Sequence, residues 1–191
     1  MSAMRRPGLL GAILVPAVVV GLSLIASSSG WAADSQALED RLAIEQVWAK
    51  YATALDTADA EAYAALFTPD AYVEVDGKPY KGREAIQGMI RQIRGRLGVD
   101  QAPPDSHGRR FGPIRHLLSN LVVDVKGDHA TSESYWTEII TNGKNAQGVG
   151  NPPSVLKMGR YEDELVKRNG KWFFSKRIIT GDLQMPRPDL R

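Results

Sequence analysis

Three histidines are present in 191 residues, and only one stands where a base would be useful. His116 lies in PIRHLLSNLVVDVKGDHATSESYW, near the start of an almost wholly apolar run that reads as a strand, followed by a turn and a second strand. An imidazole among apolar neighbours is either a satisfied core group or a titratable ring facing a cavity with a partner. His107 falls in a Pro/Gly-rich loop and His129 beside a hairpin turn, so both read as surface residues. The spacing offers no HxH or HExxH pair for a metal, and no glycine-rich phosphate loop or nucleophile elbow is present. A dedicated zinc site is therefore not expected, and a cavity-facing imidazole with a partner could transfer protons with no metal or organic cofactor required.

Several elements must position that ring. SQALEDRLAIEQVWAKYATALDTAD predicts a helix with Ser35 as its N-cap. Leu38, Leu42, Ile44, Val47, Trp48, Tyr51 and Leu55 form its apolar face, and Asp56 stands at its end. ADAEAYAALF predicts a short second helix capped by Asp59, ended by Phe67 and stopped at Thr68-Pro69-Asp70. AYVEV reads as a strand, DGKPYKG as a turn, and REAIQGMIRQIRGRL as a third helix with arginines on its solvent face. After the Gly/Pro-rich loop 98–112 the period changes to two. Ile114–Val125, Ala130–Thr141, Val155–Lys167 and Lys171–Thr180 are predicted strands, with hairpin turns at 126–128 and 168–170. Helices followed by a run of antiparallel strands indicate the α+β class.

The N-terminus has a separate character. Arg5 and Arg6 precede an uncharged stretch from Gly8 to Ala26, and SSSGWAAD follows, which is the layout of a secretory signal peptide cleaved after Ala32. Its alternative is an uncleaved anchor, although Pro16 interrupts the apolar run. The expected organisation is a signal peptide over 1–32 and one domain over 33–191, with a loose tail from about residue 182. The product would be exported, periplasmic or secreted, with no membrane association after cleavage. The chain has no cysteine, so neither disulfides nor a cysteine-linked lipid enters the fold. Lysine and arginine number 24 against 22 acids, and Arg5 and Arg6 account for the excess. A domain of zero net charge gives no electrostatic case for nucleic-acid binding.

LAIEQVWAKYATALDTADAEAYAALFTPDAYVEV, RHLLSNLVVDVKGDHATSESYW and GRYEDELVKRNGKWFFSKRII, in that order, resemble SnoaL-like proteins of the NTF2-like superfamily, and the scytalone dehydratase and dehydrochlorinase branch in particular. The resemblance spans roughly residues 37 to 180. It implies a cone: a strongly curved antiparallel sheet wrapped around N-terminal helices, with an internal and mostly apolar pocket. It also implies that Asp56 pairs with His116 as a catalytic dyad, with Asp56 as orienter and His116 as base. At the positions where the dehydratase uses two tyrosines, a second histidine and an asparagine, this chain has Leu55, Val75, Trp136 and Tyr161, so a more apolar and aromatic pocket is expected. Tyr51, Phe67, Trp136 and Tyr161 are the expected substrate-binding residues, Tyr51 and Phe67 from their place on the helices. A buried tyrosine hydroxyl needs a partner, which favours a cavity for Tyr51 and Tyr161. Asn120, four residues beyond His116 on the same strand, would share its face. The loop 98–112 is a candidate cover.

The function implied is a cofactor-independent lyase or isomerase working on a small, largely apolar molecule. The alternative is a non-catalytic binding or accessory protein of the same fold. Association as a homodimer through the outer face of the sheet is the expected assembly.

Overall fold

A computed structural model of the protein describes residues 20–141, 143 and 150–184, with side chains from 35 to 182. The chain divides into two compact units, Met1–Leu38 and Glu39–Arg191. Most of the predicted signal peptide lies outside the described residues. No helix among the described residues is long and apolar enough to cross a membrane.

Helix α1 runs Val20–Asp56. Ser35 therefore lies inside a helix instead of capping one. No proline occurs between Pro16 and Pro69 to interrupt the hydrogen-bond ladder. Leu38 and Leu42, predicted for the apolar face, are exposed. The buried face begins at Asp40 and continues through Ile44, Val47, Trp48 and Tyr51. Asp40 is tolerated there because its carboxylate accepts from the Trp172 indole N–H at 2.9 Å and pairs with Lys167 Nζ at 2.7 Å.

Helix α2 (Ala60–Ala65) is capped as the sequence predicts: Asp59 Oδ1 accepts from the Ala62 N–H at 3.0 Å. Phe67 does not end this helix. It opens strand β1 (Phe67–Val75), which carries Thr68-Pro69-Asp70 within it. A short strand β2 (Lys78–Lys81) returns across the Asp76-Gly77 turn, in what the sequence suggested was turn alone. Helix α3 (Gly82–Arg96) follows and buries Ile86, Met89 and Ile90.

The remaining strands are β3 (Ile114–Lys126), β4 (His129–Ile140), β5 (Ser154–Arg168) and β6 (Lys171–Gln184). Strand β6 thus extends to Gln184, beyond the predicted start of the tail; residues 185–191 lie outside the described part. The Asn169-Gly170 turn between β5 and β6 has positive φ at both residues (51° and 74°), as a two-residue hairpin of this type demands.

The six strands form one curved sheet in the order β2-β1-β6-β5-β4-β3. All neighbours are antiparallel except β1 and β6, which run parallel and join the helical half of the fold to the strand meander. Curvature has a local cause: the register shifts at Ser119/Val122, Glu138/Ile139, Met158/Gly159 and Glu164/Leu165, and each bulge bends its strand. The first of these sets the face of everything after it. Asn120 takes φ 54° in the bulge and is exposed, so it does not share the face of His116. The extra residue lets Leu121, Val123 and Val125 turn inward where strict alternation from His116 would turn them out.

Under the concave face lies a ring of aromatics around a buried cation. The Arg177 guanidinium is 3.9 Å from the Tyr51 and Phe174 ring centroids, 4.1 Å from Trp48 and 4.5 Å from Tyr161. Its charge is balanced by Asp163, with Nε–Oδ1 at 2.7 Å and Nη2–Oδ2 at 2.9 Å, while the Ser132 hydroxyl donates to the same carboxylate at 3.0 Å. Burial works against the charged guanidinium, but the adjacent Asp163 holds its pKa above the ordinary arginine value.

Candidate active site

Asp56 is the last residue of α1. Beyond it Ala58 adopts φ 45° and the chain turns away, which leaves the Asp56 carboxylate facing the start of β3. One oxygen of that carboxylate does two jobs. Oδ1 accepts the His116 backbone N–H at 3.0 Å and lies 2.7 Å from the ring Nδ1. A carboxylate oxygen at that distance fixes the ring hydrogen on Nδ1 and leaves Nε2 pointing away from the helix. The Gly112 N–H donates to the Asp56 carbonyl at 3.3 Å, so the loop before β3 is pinned to the same helix end.

The other ring nitrogen has a partner the sequence reading did not name. Glu138 is the register partner of His116 on β4, and its Oε1 lies 3.4 Å from Nε2. The imidazole therefore sits between two carboxylates with only about 10 % of its side chain exposed. Burial pulls the ring pKa down. The hydrogen bonds and charges of Asp56 and Glu138 outweigh it and hold the histidine above its ordinary value of 6.5.

His116 opens onto a cavity of about 590 Å³, which also takes in Asp56 and Glu138. This is the size range of small-molecule sites. Leu55, Val75, Trp136 and Tyr161, the four positions at which the chain departs from the dehydratase pattern, all line it. Tyr51 lines it too, and so does Tyr63 from α2. The three tyrosine hydroxyls form a chain, with Tyr63 donating to Tyr51 at 3.2 Å and Tyr51 to Tyr161 at 3.4 Å. Burial pushes the Tyr63 and Tyr161 phenols well above their usual value, so both remain protonated donors. In this order of donation the Tyr161 O–H is left over for an acceptor in the cavity.

Trp136 is held against the wall by its indole N–H, which donates to the Arg160 carbonyl at 3.2 Å. Its ring folds over Gly159, where an added Cβ would come within 2.7 Å of it.

Phe67 is not part of this cavity. It is fully buried and packs on Tyr63 and Phe174, with centroids 5.3 Å away in each case. Its place at the start of β1, and not at the end of α2, turns its ring into the core. Loop 98–112 does not cover the cavity either. Val99–Gln101 forms a 3-10 turn with Val99 buried, and Pro104 pairs with Arg110 in an isolated bridge. Residues 107–110 line a different depression, larger at about 920 Å³ and more open, on the far side of the α1 end. That depression contains neither Asp56 nor His116, and its Arg94 and Arg109 are tied to Asp100 and Asp105. Among the described residues no group of three or more metal-ligating side chains is arranged to hold a metal ion.

Residues 36–178 match the SnoaL-like domain family. The chain belongs to that family. The uncharacterized protein Rv2910c of Mycobacterium tuberculosis is 28% identical over 145 residues, which is 75% of this chain and 86% of the relative. Among solved structures, an NTF2-like protein with a cystatin-like fold from Novosphingobium aromaticivorans superposes with a TM-score of 0.63 at 25% identity, covering 79% of this chain and 87% of the other. A protein from the same organism, provisionally described as a scytalone dehydratase, gives a TM-score of 0.59 at 26% identity over 80% and 90% of the two chains. The SnoaL-like fold of this chain is thus the NTF2-like cone expected from its motifs.

Glu138 was legible in principle, and Tyr63 was not. Glu138 is two residues from Trp136 in a period-two strand, so any argument that turned Trp136 inward turned Glu138 inward as well. Tyr63 was in a helix too short for its periodicity to select a face.

Proposed function

We propose that this SnoaL-like protein is a cofactor-independent lyase or isomerase in which His116 is the acid–base group. One observation carries the reading: a single cavity-facing imidazole is engaged by a carboxylate at each nitrogen, in a cavity whose wall includes Leu55, Val75, Trp136 and Tyr161. In the deprotonated ring, Nε2 takes a carbon-bound proton from the substrate while Asp56 holds Nδ1–H and balances the imidazolium. The electron pair of the broken C–H bond forms a double bond. In a lyase the leaving hydroxide departs and receives the Nε2 proton as water; in an isomerase the proton returns to another carbon. The spare Tyr161 O–H is available to a substrate oxygen. Likeness to a protein provisionally described as a scytalone dehydratase supports the reaction class. Leu55, Val75, Trp136 and Tyr161 argue against scytalone itself as the substrate.

The second reading is a non-catalytic binding or accessory protein of the same fold. It is favoured by Glu138, which already engages the nitrogen that a substrate would need. Turnover of a library of small cyclic ketones, terpenoids and phenolics by the wild type and by His116→Ala separates the two. Turnover lost in the variant supports the enzyme, and equal binding with no turnover by either supports the binder.

The proposed setting is outside the cytoplasm, supported by the signal-like pattern of residues 1–32. The proposed assembly is a homodimer. Leu117, Val122, Tyr135 and Met158 are exposed on the sheet face opposite His116 and Trp136, and a second copy would cover them.

A further inference from the structure

We infer that the ligand of the His116 cavity carries an anionic group, specifically a carboxylate on an apolar ring body. The inference rests on the cavity being a small-molecule site, and narrows the largely apolar molecule expected from the sequence.

The cavity is lined by three acids and three cations besides His116, and the two sets are not equivalent. Each acid is occupied. Asp56 is bonded to His116, Glu138 faces the other nitrogen of the same ring, and Asp76 accepts the Gly181 N–H at 2.8 Å. Lys78, Arg96 and Lys157 make no ion pair among the described residues, although Lys78 lies 5.2 Å from the Tyr80 centroid. They arrive from three elements: Lys78 opens β2, Arg96 ends α3 and Lys157 lies in β5 as the register partner of Glu138.

Nearby arginines outside the cavity behave differently. Arg94 pairs with Asp100, Arg109 pairs with Asp105, and Arg115 donates to the Gly112 and Ile114 carbonyls. Lys50, Lys81, Arg91 and Lys171 also make no ion pair among the described residues; of the unpaired cations, Lys78, Arg96 and Lys157 are the three that line the His116 cavity. An anion entering it meets three cations that make no ion pair of their own, while Asp56 and Glu138 share the ring between them and Asp76 accepts a backbone N–H. The apolar wall, with Leu55, Val75, Ile93 and Leu156, accepts the ring body. A neutral apolar ligand would use that wall and leave the cations idle.

The test compares matched acids and amides on the full chain: 2-naphthoate against 2-naphthamide, and 4-phenylbenzoate against 4-phenylbenzamide. Binding is read by calorimetry and folding by thermal unfolding. The expected result is that each acid binds about tenfold or more tighter than its amide at low salt, as a hydrogen bond to a charged group allows. That advantage shrinks in about 0.5 M sodium chloride, and it falls severalfold in Lys157→Gln and in Arg96→Gln and vanishes in the triple variant that adds Lys78→Gln. Amides binding as tightly as acids, an acid preference that survives the triple variant in folded protein, or no binding by either acid would overturn it. His116→Ala reports on turnover alone, because it also frees the Asp56 and Glu138 carboxylates. Loss of turnover in that variant without any acid preference in the wild type retains the reaction and removes only the substrate class.

Discussion

The Asp56 carboxylate and the Glu138 carboxylate hold the two nitrogens of one ring, Nδ1 at 2.7 Å and Nε2 at 3.4 Å. A neutral imidazole bonded to Asp56 through Nδ1–H would turn its Nε2 lone pair toward Glu138. Two acceptors facing each other repel, so the geometry calls for a proton between them. The charged ring is the form this environment favours, and the raised pKa of His116 has that origin despite burial.

The first prediction concerns stability. His116 has a folded-state pKa raised above the unfolded value near 6.5. Its contribution is fully present below about pH 6.5 and is lost as pH rises through the folded value. Chemical denaturation of wild type and His116→Gln should therefore show a larger stability difference at pH 6 than at pH 9. A difference that is constant or grows with pH would mean that the ring is not held charged.

Glu138 should tune the reaction without being needed for the fold. Replacing it with glutamine removes a charge that raises the His116 pKa, so the acid limb of the pH–rate profile should move to lower pH. Ring-proton NMR should report the same direction of change. His116→Ala is expected to cut turnover by ~10²–10⁴, the usual contribution of a positioned acid–base group. A pH profile that stays fixed in Glu138→Gln would detach Glu138 from the chemistry.

How far the sequence could be read depended on whether an element was long enough to show its period. Strands β3 to β6 run for 12 to 15 residues, and β3 to β5 were located to within a residue at each end while β6 runs four residues past its predicted end, because the period of two is unambiguous over that length. Phe67 failed for the opposite reason. It stands where α2 passes directly into β1, and a six-residue helix cannot announce its own end. The contact of Asp56 with His116 spans 60 positions in the chain, and no local pattern encodes it; only a resemblance to known folds joined the two. Asn120 was misread because a bulge shifts the faces of β3 and has no sequence signal stronger than an asparagine able to adopt positive φ. The three cavity cations were invisible for a related reason, since Lys78, Arg96 and Lys157 converge only after the sheet has curved.

Gly159 should resist substitution. The Trp136 ring occupies the space a Cβ would need, and the Thr180 carbonyl lies closer still on the neighbouring strand. Gly159→Ala must push the indole into the cavity or separate β5 from β6. A loss of about 1–3 kcal/mol is expected from overpacking, measured by urea denaturation, with a shift in Trp fluorescence. Pairing Gly159→Ala with Trp136→Leu should recover part of the loss if the indole is the obstacle. No recovery would assign the cost to the Thr180 carbonyl instead.

The sheet's outer face gives a test of assembly. Tyr135, Leu117 and Met158 are 50 %, 54 % and 41 % exposed, and their register positions put them on one face of three adjacent strands. Tyr135→Glu would place a charge in the middle of that patch. Sedimentation should find a dimer in the wild type and a monomer in the variant with unchanged secondary structure. A monomeric wild type at tens of micromolar would remove the proposed interface.

Asp163 and Arg177 should prove the most sensitive pair in the core. Both side chains are fully buried, and Arg177 has no water to turn to if its carboxylate is lost. One guanidinium nitrogen, Nη1, already lacks a hydrogen-bond partner, so the rest of the charge depends on Asp163 and on the aromatic faces around it. Asp163→Asn leaves that cation without its counter-charge, which should cost about 3–5 kcal/mol. Replacing both residues, as Asp163→Leu with Arg177→Met, should cost less than Asp163→Asn alone, because no buried charge is then stranded. Guanidinium-chloride unfolding of the wild type and the two variants measures the difference. If the double variant is the least stable, the cation's hold on Tyr51 and Tyr161 outweighs the cost of burying it, and the floor of the cavity is built on the charge and not merely around it.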